Sequence, residues 1–133
     1  MPVFFDTNIV VYAFGQDAAK VERAEAILEA QPTISVQVIS EFLNVCRVKL
    51  GLDTATRHQL ANELLAGCNV VALDSSVVAR AMEIEEQAGV AYWDALIVAA
   101  ALLAGCDTLY TEDLEHGRTF DGRLTVVNPF VAA

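Results

Sequence analysis

The chain has 133 residues, of which 18 are acidic and 8 are Lys or Arg, for a formal charge of −10 with 55% hydrophobic residues, and its mean hydropathy is +0.43. Sparse Pro and Gly with scattered charge exclude a disordered, collagen-like or low-complexity chain, and the length suits one core, so residues 1–133 read as a single domain. The longest uncharged stretch, Ala95–Cys106, falls far short of the ~20 residues of a membrane span.

Val3–Phe5 is a short apolar run that ends at Asp6, and a helical pattern follows over Asn8–Phe14. Ala18–Ala30 puts Val21, Ala24, Ile27 and Leu28 on one face and Glu22, Arg23, Glu25 and Glu29 on the other, until Pro32 stops it. Thr33–Val36 suits a strand, and apolar residues then recur at helical spacing from Val38 to Leu50. Ala55–Ala66 predicts a helix closed by Gly67, Asn69–Leu73 a strand, and Val77–Ala88 a helix capped by Ser75 or Ser76 and ended by Gly89. Trp93–Ala104 is apolar on every side after Asp94, the mark of a helix buried within a domain. Thr108–Tyr110 reads as a strand, Thr111–Gly122 as a polar loop and Leu124–Val127 as the last strand. Short apolar strands separated by helices indicate a parallel sheet covered on both faces, hence a three-layer α/β/α fold with about five strands.

The N-terminal MPVFFDTN lacks a basic region and has an Asp interrupting its apolar run, unlike a secretory signal. Cys46, Cys68 and Cys106 are odd in number and widely spaced, which favours reduced thiols in a cytoplasm. The acidic balance argues against a broad nucleic-acid binding face, because phosphates are held mainly by clustered Lys and Arg. It does not exclude an enzyme that acts on nucleic acid, since carboxylates gathered around divalent cations attract a phosphodiester.

Four acids fall near the carboxyl ends of the predicted strands, where ligands of open α/β sheets bind: Asp6, Glu41, Asp94 and Asp113. Taken singly, Asp6 and Asp113 read as helix caps or turn residues and Glu41 as a solvated boundary residue. Asp94 is harder to dismiss, because Ile97, Val98 and Ala101 around it are apolar and no Lys or Arg lies between Arg80 and Arg118. Two carboxylates within ~4 Å repel by about 4 kcal/mol at an effective dielectric of about 20. With no Lys after Lys49, one or two Mg²⁺ or Mn²⁺ ions are the natural counter-charge.

The residues at these positions, V-F-F-D-T-N from Val3 to Asn8, V-I-S-E-F-L-N around Glu41, A-Y-W-D-A-L-I-V-A-A-A around Asp94 and L-Y-T-E-D-L-E-H-G around Thr111 and Asp113, resemble the PIN domain. The likeness is strongest to the single-domain VapC-like toxins of toxin–antitoxin pairs and spans nearly the whole chain. It implies a Mg²⁺- or Mn²⁺-dependent endoribonuclease in which Asp6 and Asp94 bind the main metal and Glu41 and Asp113 complete the cluster. Asn8 and Thr111 match positions that hold the acids in place. A metal-activated water would cleave RNA to leave 5′-phosphate and 3′-hydroxyl ends. The resemblance also implies a homodimer and a small antitoxin partner, and the short uncharged stretches predict no membrane association.

Glu112 adjoins Asp113, and Asp113 is the one expected to face the site because it stands two residues beyond Thr111. His58 and His116 read as solvated, Tyr92 and Trp93 as packing or interface residues, and Tyr12 as a candidate groove residue. Arg47, Lys49, Arg118 and Arg123 are the cations expected around the cleft. A haloacid-dehalogenase-like or receiver-like phosphotransfer domain also places Asp after its first strand. It needs a late Lys that is missing here, and the former also needs a second acid where Asn8 stands. The remaining alternative is a PIN-like interaction domain without chemistry.

Overall fold

The computed structural model describes residues 2–131. Its elements in order are β1 (Val3–Phe5), α1 (Thr7–Tyr12), α2 (Ala18–Leu28), β2 (Thr33–Ser35), α3 (Val36–Val48), α4 (Thr54–Gly67) and β3 (Asn69–Val71). Then come α5 (Ser75–Ala88), α6 (Tyr92–Leu103), β4 (Thr108–Tyr110), β5 (Thr119–Phe120) and β6 (Leu124–Val127). The six-stranded sheet runs in the order β3-β2-β1-β4-β6-β5, parallel except for the β5–β6 pair. Because the order turns back at β1, right-handed crossovers put α1–α4 on one face and α5–α6 on the other. This is the three-layer arrangement that the apolar strands predicted.

The expected five strands become six, because β5 lies within the stretch expected to be a polar loop. Its two residues are too few to show a pattern. The turn that makes it a hairpin is nevertheless visible as Asp121-Gly122, which adopts φ of 53° and 64° and suits the left-handed positions of a tight hairpin. The start of α5 is also corrected: Asp74, rather than Ser75 or Ser76, is the cap, its Oδ1 accepting from the N–H groups of Ser76 at 3.0 Å and Val77 at 3.2 Å. Gly89 ends the same helix at φ 68°, a conformation in which glycine avoids the Cβ penalty.

Helix α6 is buried from Ala95 to Leu102, as its uniform apolar pattern requires. Alanines at 95, 99, 100 and 101 let neighbouring elements approach closely, while Phe4, Phe5, Ile34, Phe42, Leu109 and Leu124 fill the core without exposure. Among the described residues no single helix is long and apolar enough to cross a membrane.

Candidate metal centre at the sheet reversal

Strands β1 and β4 are adjacent, with Phe5 opposite Tyr110. Each strand therefore releases its next residue, Asp6 or Thr111, at the same height on the carboxyl edge. The backbone holds this edge: the Asp6 N–H donates to the Tyr110 carbonyl at 3.0 Å and the Thr111 N–H to the Val127 carbonyl at 3.1 Å. Such a reversal of strand order opens a crevice between the helices of the two faces.

Asp6 is the N-cap of α1 and only 5% exposed. Its Oδ1 accepts from the Thr7 N–H at 2.7 Å and its Oδ2 from the Thr111 hydroxyl at 2.8 Å. The Thr111 hydroxyl in turn accepts from the Asp113 N–H at 3.0 Å, so one buried threonine orients an acid from β1 and the loop that carries another. Asp94, in the first turn of α6, supplies the third carboxylate. One oxygen from each of Asp6, Asp94 and Asp113 lies within 4.8 Å of the others. Glu41 stands outside this triad but lines the same cleft from α3, with Oε1 accepting from the Thr7 hydroxyl at 2.8 Å.

Burial pushes the Asp6 carboxyl up from 3.8 to about 7, a rise that the hydrogen bonds from Thr111 and Thr7 oppose and that the charges of Asp113 and Glu41 reinforce. Asp94 is raised as well, first by desolvation and then by Asp113 and Glu41. No ion pair among the described residues reaches the triad; the only ones formed are Lys20 with Glu112 and Arg80 with Glu83 and Asp121. Three crowded carboxylates with hard oxygen donors and no cationic side chain bonded to them fit a divalent cation such as Mg²⁺ or Mn²⁺.

The cleft above the triad has a volume of about 410 Å³. Asp113 lines it, whereas Glu112 lies 3.6 Å from Lys20, so of the two adjacent acids Asp113 is the one placed at the cleft. Asn8 supports the site less directly than Thr111 does: its Oδ1 accepts from the Glu112 N–H at 3.4 Å and so steadies the loop after β4. Tyr12 lines the cleft, as anticipated. His58 is exposed, and His116 is also exposed, with Nδ1 accepting from the Asn128 N–H at 3.0 Å.

The expected cations are mostly elsewhere, and of the four only Lys49 lines the cleft. Arg118 donates to the Ala88 carbonyl at 2.7 Å and lies over the Phe120 ring, Arg123 donates to the Leu102 carbonyl at 3.2 Å, and Arg47 bonds Asn44 on its own helix. These arginines tie loops to helix ends or stay on the surface. Lys20, which the sequence reading passed over, stands 4.2 Å from the Tyr12 ring centroid and 3.1 Å from its hydroxyl. Thr7 was also missed, although its place between Asp6 and the start of α1 is a signal. Of the packing or interface roles expected for Trp93, packing within the chain is not what the structure shows: the side chain is 65% exposed and lines the cleft.

An α/β sheet whose reversal point gathers three carboxylates defines an acidic-cluster domain. A family model for the PIN domain matches residues 3–120, and the chain belongs to that family. No curated protein matches it in sequence. Similar solved structures include a toxin–antitoxin complex from Klebsiella pneumoniae, at 24% identity and TM-score 0.71, with 96% of this chain and 98% of the other covered. FitAcB from Neisseria gonorrhoeae matches at 18% identity and TM-score 0.68 over 96% of this chain and 98% of its own. The sarcin-ricin loop cleaving toxin VapC20 of Mycobacterium tuberculosis matches at 18% identity and TM-score 0.69, covering 84% of this chain and 89% of that toxin. At these identities the likeness establishes the fold.

Proposed function

We propose that this single domain is a Mg²⁺- or Mn²⁺-dependent endoribonuclease and the toxin of a toxin–antitoxin pair. The observation that carries the reading is the convergence of Asp6, Asp94 and Asp113 at the sheet reversal with no cationic side chain bonded to them. Membership of the PIN domain family and the toxin–antitoxin neighbours support it.

In this reading the triad holds the cation. A bound divalent ion supplies Lewis acidity, lowering the pKa of an attacking water and neutralising the phosphodiester. Thr111 and the Thr7 N–H engage the two oxygens of Asp6, so the carboxylate presents its remaining lone pairs in a fixed orientation. Glu41, anchored through Oε1 by Thr7, keeps Oε2 available to take a proton from the attacking water or to help hold a second cation. Lys49 lines the cleft and supplies a positive charge for an RNA phosphate.

The partner is a small antitoxin that blocks the cleft, and Val78, Met82 and Leu103 offer exposed apolar side chains to a second copy in a cytoplasmic homodimer. The test is cleavage of a defined RNA with Mn²⁺, with Mg²⁺ and with EDTA, using the wild type, Asp6→Asn and Asp94→Asn. Cleavage should require the metal and fall at least ~100-fold in each variant. Metal-independent cleavage, or activity that survives both substitutions, would overturn the reading. Co-expression with the neighbouring small open reading frame checks the toxin assignment through growth rescue and formation of a complex.

A further inference from the structure

Gln37, in the first turn of α3, is only 8% exposed, yet its Oε1 is the one buried side-chain polar atom among the described residues that lacks a hydrogen-bond partner. Its Nε2 donates to the Trp93 carbonyl at 3.2 Å. That bond fixes the amide orientation, because the flipped amide would set two carbonyl oxygens against each other. With no protein donor bonded to it and open space on two sides, this oxygen is free to accept from a ligand that displaces solvent there.

Gln37 lines two adjoining spaces. One is the acidic cleft, and the other is a cavity of about 450 Å³ bordered by Val36, Ser40, Leu73 and Trp93. Glu41 borders both as well, one helical turn from Gln37 on the same face of α3. The second cavity therefore opens directly beside the triad. Its wall carries the Trp93 indole, 65% exposed and braced edge-on by Tyr92 with ring centroids 5.5 Å apart. Ser40 offers no donor there, since its hydroxyl already donates to the Val36 carbonyl at 2.9 Å.

We infer that this cavity is a nucleobase subsite in which Trp93 stacks on the base next to the scissile phosphate and Gln37 Oε1 accepts from its exocyclic amine. The inference rests on the nuclease reading and names what that site selects. An exposed indole is a sequence-tolerant stacking surface, and the buried amide oxygen adds discrimination. Adenine, cytosine and guanine carry the required amine. Uracil is disfavoured because it has no exocyclic amine, and its one Watson–Crick N–H is flanked by carbonyl oxygens that would meet the Gln37 oxygen unfavourably.

Trp93 is the only tryptophan in the chain, so its fluorescence reports the subsite directly. The probes are AMP, CMP, GMP and UMP, titrated into the full chain with Ca²⁺ while emission is read at an excitation that avoids tyrosine. AMP, CMP and GMP should quench at concentrations about tenfold below that needed for UMP. Gln37→Met should bring the four together, and Trp93→Phe should keep the order of affinities when binding is read by equilibrium dialysis. A ratio between nucleotides is insensitive to a general loosening of α3 against α6, which a merely structural glutamine would produce. End mapping of a random-sequence RNA after Mn²⁺-dependent cleavage should show depletion of uridine at one position beside the cut, lost in Gln37→Met.

Quenching by the amine-bearing nucleotides without any RNA cleavage would sink the nuclease reading and leave the subsite standing. Metal-dependent cleavage with equal response to all four nucleotides would do the reverse. If Gln37→Met leaves nucleotide preference intact but abolishes binding of the co-expressed small protein, the cavity is a protein-docking site and the inference is wrong.

Discussion

The raised carboxyl of Asp6 makes a sharp prediction about stability without metal. In the unfolded chain Asp6 ionises near its ordinary value of 3.8, whereas in the folded protein it holds its proton up to about 7. Below about pH 3 the group is neutral in both states and its favourable contribution is complete. Between about pH 4 and pH 7 the unfolded state releases the proton and the folded state keeps it, so folding stability falls as pH rises. A tenfold change in proton concentration is worth about 1.4 kcal/mol, and the gap between the two values amounts to roughly 4 kcal/mol lost by pH 8. Asp6 is almost wholly buried, so solvent screening removes little of this.

Asp6→Asn keeps the N-cap, for which Asn and Asp are equally good, and removes the charge. In EDTA the variant should become more stable than the wild type as pH rises, the difference opening between pH 4 and pH 7 and then levelling. At pH 8 its melting temperature should exceed the wild type's by up to about 14 °C. Mn²⁺ should reverse the order, because it binds the folded wild type and only weakly the variant. Calorimetry at pH 5 and pH 8, with and without Mn²⁺, checks each part. A wild type that is as stable as Asp6→Asn at pH 8 in EDTA, or that gains nothing from Mn²⁺, would refute the account of the cluster.

Thr111→Val removes the hydroxyl that donates to Asp6 and accepts from Asp113; the Asp6 carboxyl should rise further, moving the acidic limb of a pH–rate profile to higher pH and raising the Mn²⁺ concentration needed for half-maximal cleavage. Thr7→Val frees Glu41, and single-turnover cleavage should slow about tenfold while RNA affinity measured in Ca²⁺ stays unchanged. Lys49→Ala should weaken RNA binding and flatten its salt dependence, whereas Arg118→Ala should leave binding alone and lower the midpoint of urea unfolding, since Arg118 ties Ala88 and covers Phe120. Gly89→Ala places a Cβ at φ 68° and should destabilise by about 1 kcal/mol with cleavage unaffected.

Much of the fold was legible because its signals are local. The all-apolar run from Ala95 to Leu102 declared a buried helix, Pro32 and Gly89 marked helix ends, and apolar strands without alternation implied a covered parallel sheet. Two features went unread for equally local reasons. The strand Thr119–Phe120 is too short to show a period, and Asp74 was passed over for the serines that follow it.

Which side chains meet is a different matter, because it depends on pairings between distant segments. The order and types of the elements, and the four acids at their ends, follow from the sequence by itself, since periodicity and capping act over a few residues. Only the pairing of Phe5 with Tyr110 brings Asp6 to Thr111, 105 positions along the chain. Only the packing of α6 brings Asp94 to Asp6, and only the loop after β4 turns Asp113 to the cleft and Glu112 to Lys20. The same tertiary contacts removed Arg118 and Arg123 from the cleft and left the Gln37 oxygen buried without a partner beside an exposed indole. Local sequence sets what each segment can form; burial, charge crowding and unmet hydrogen bonds arise only when the segments are assembled.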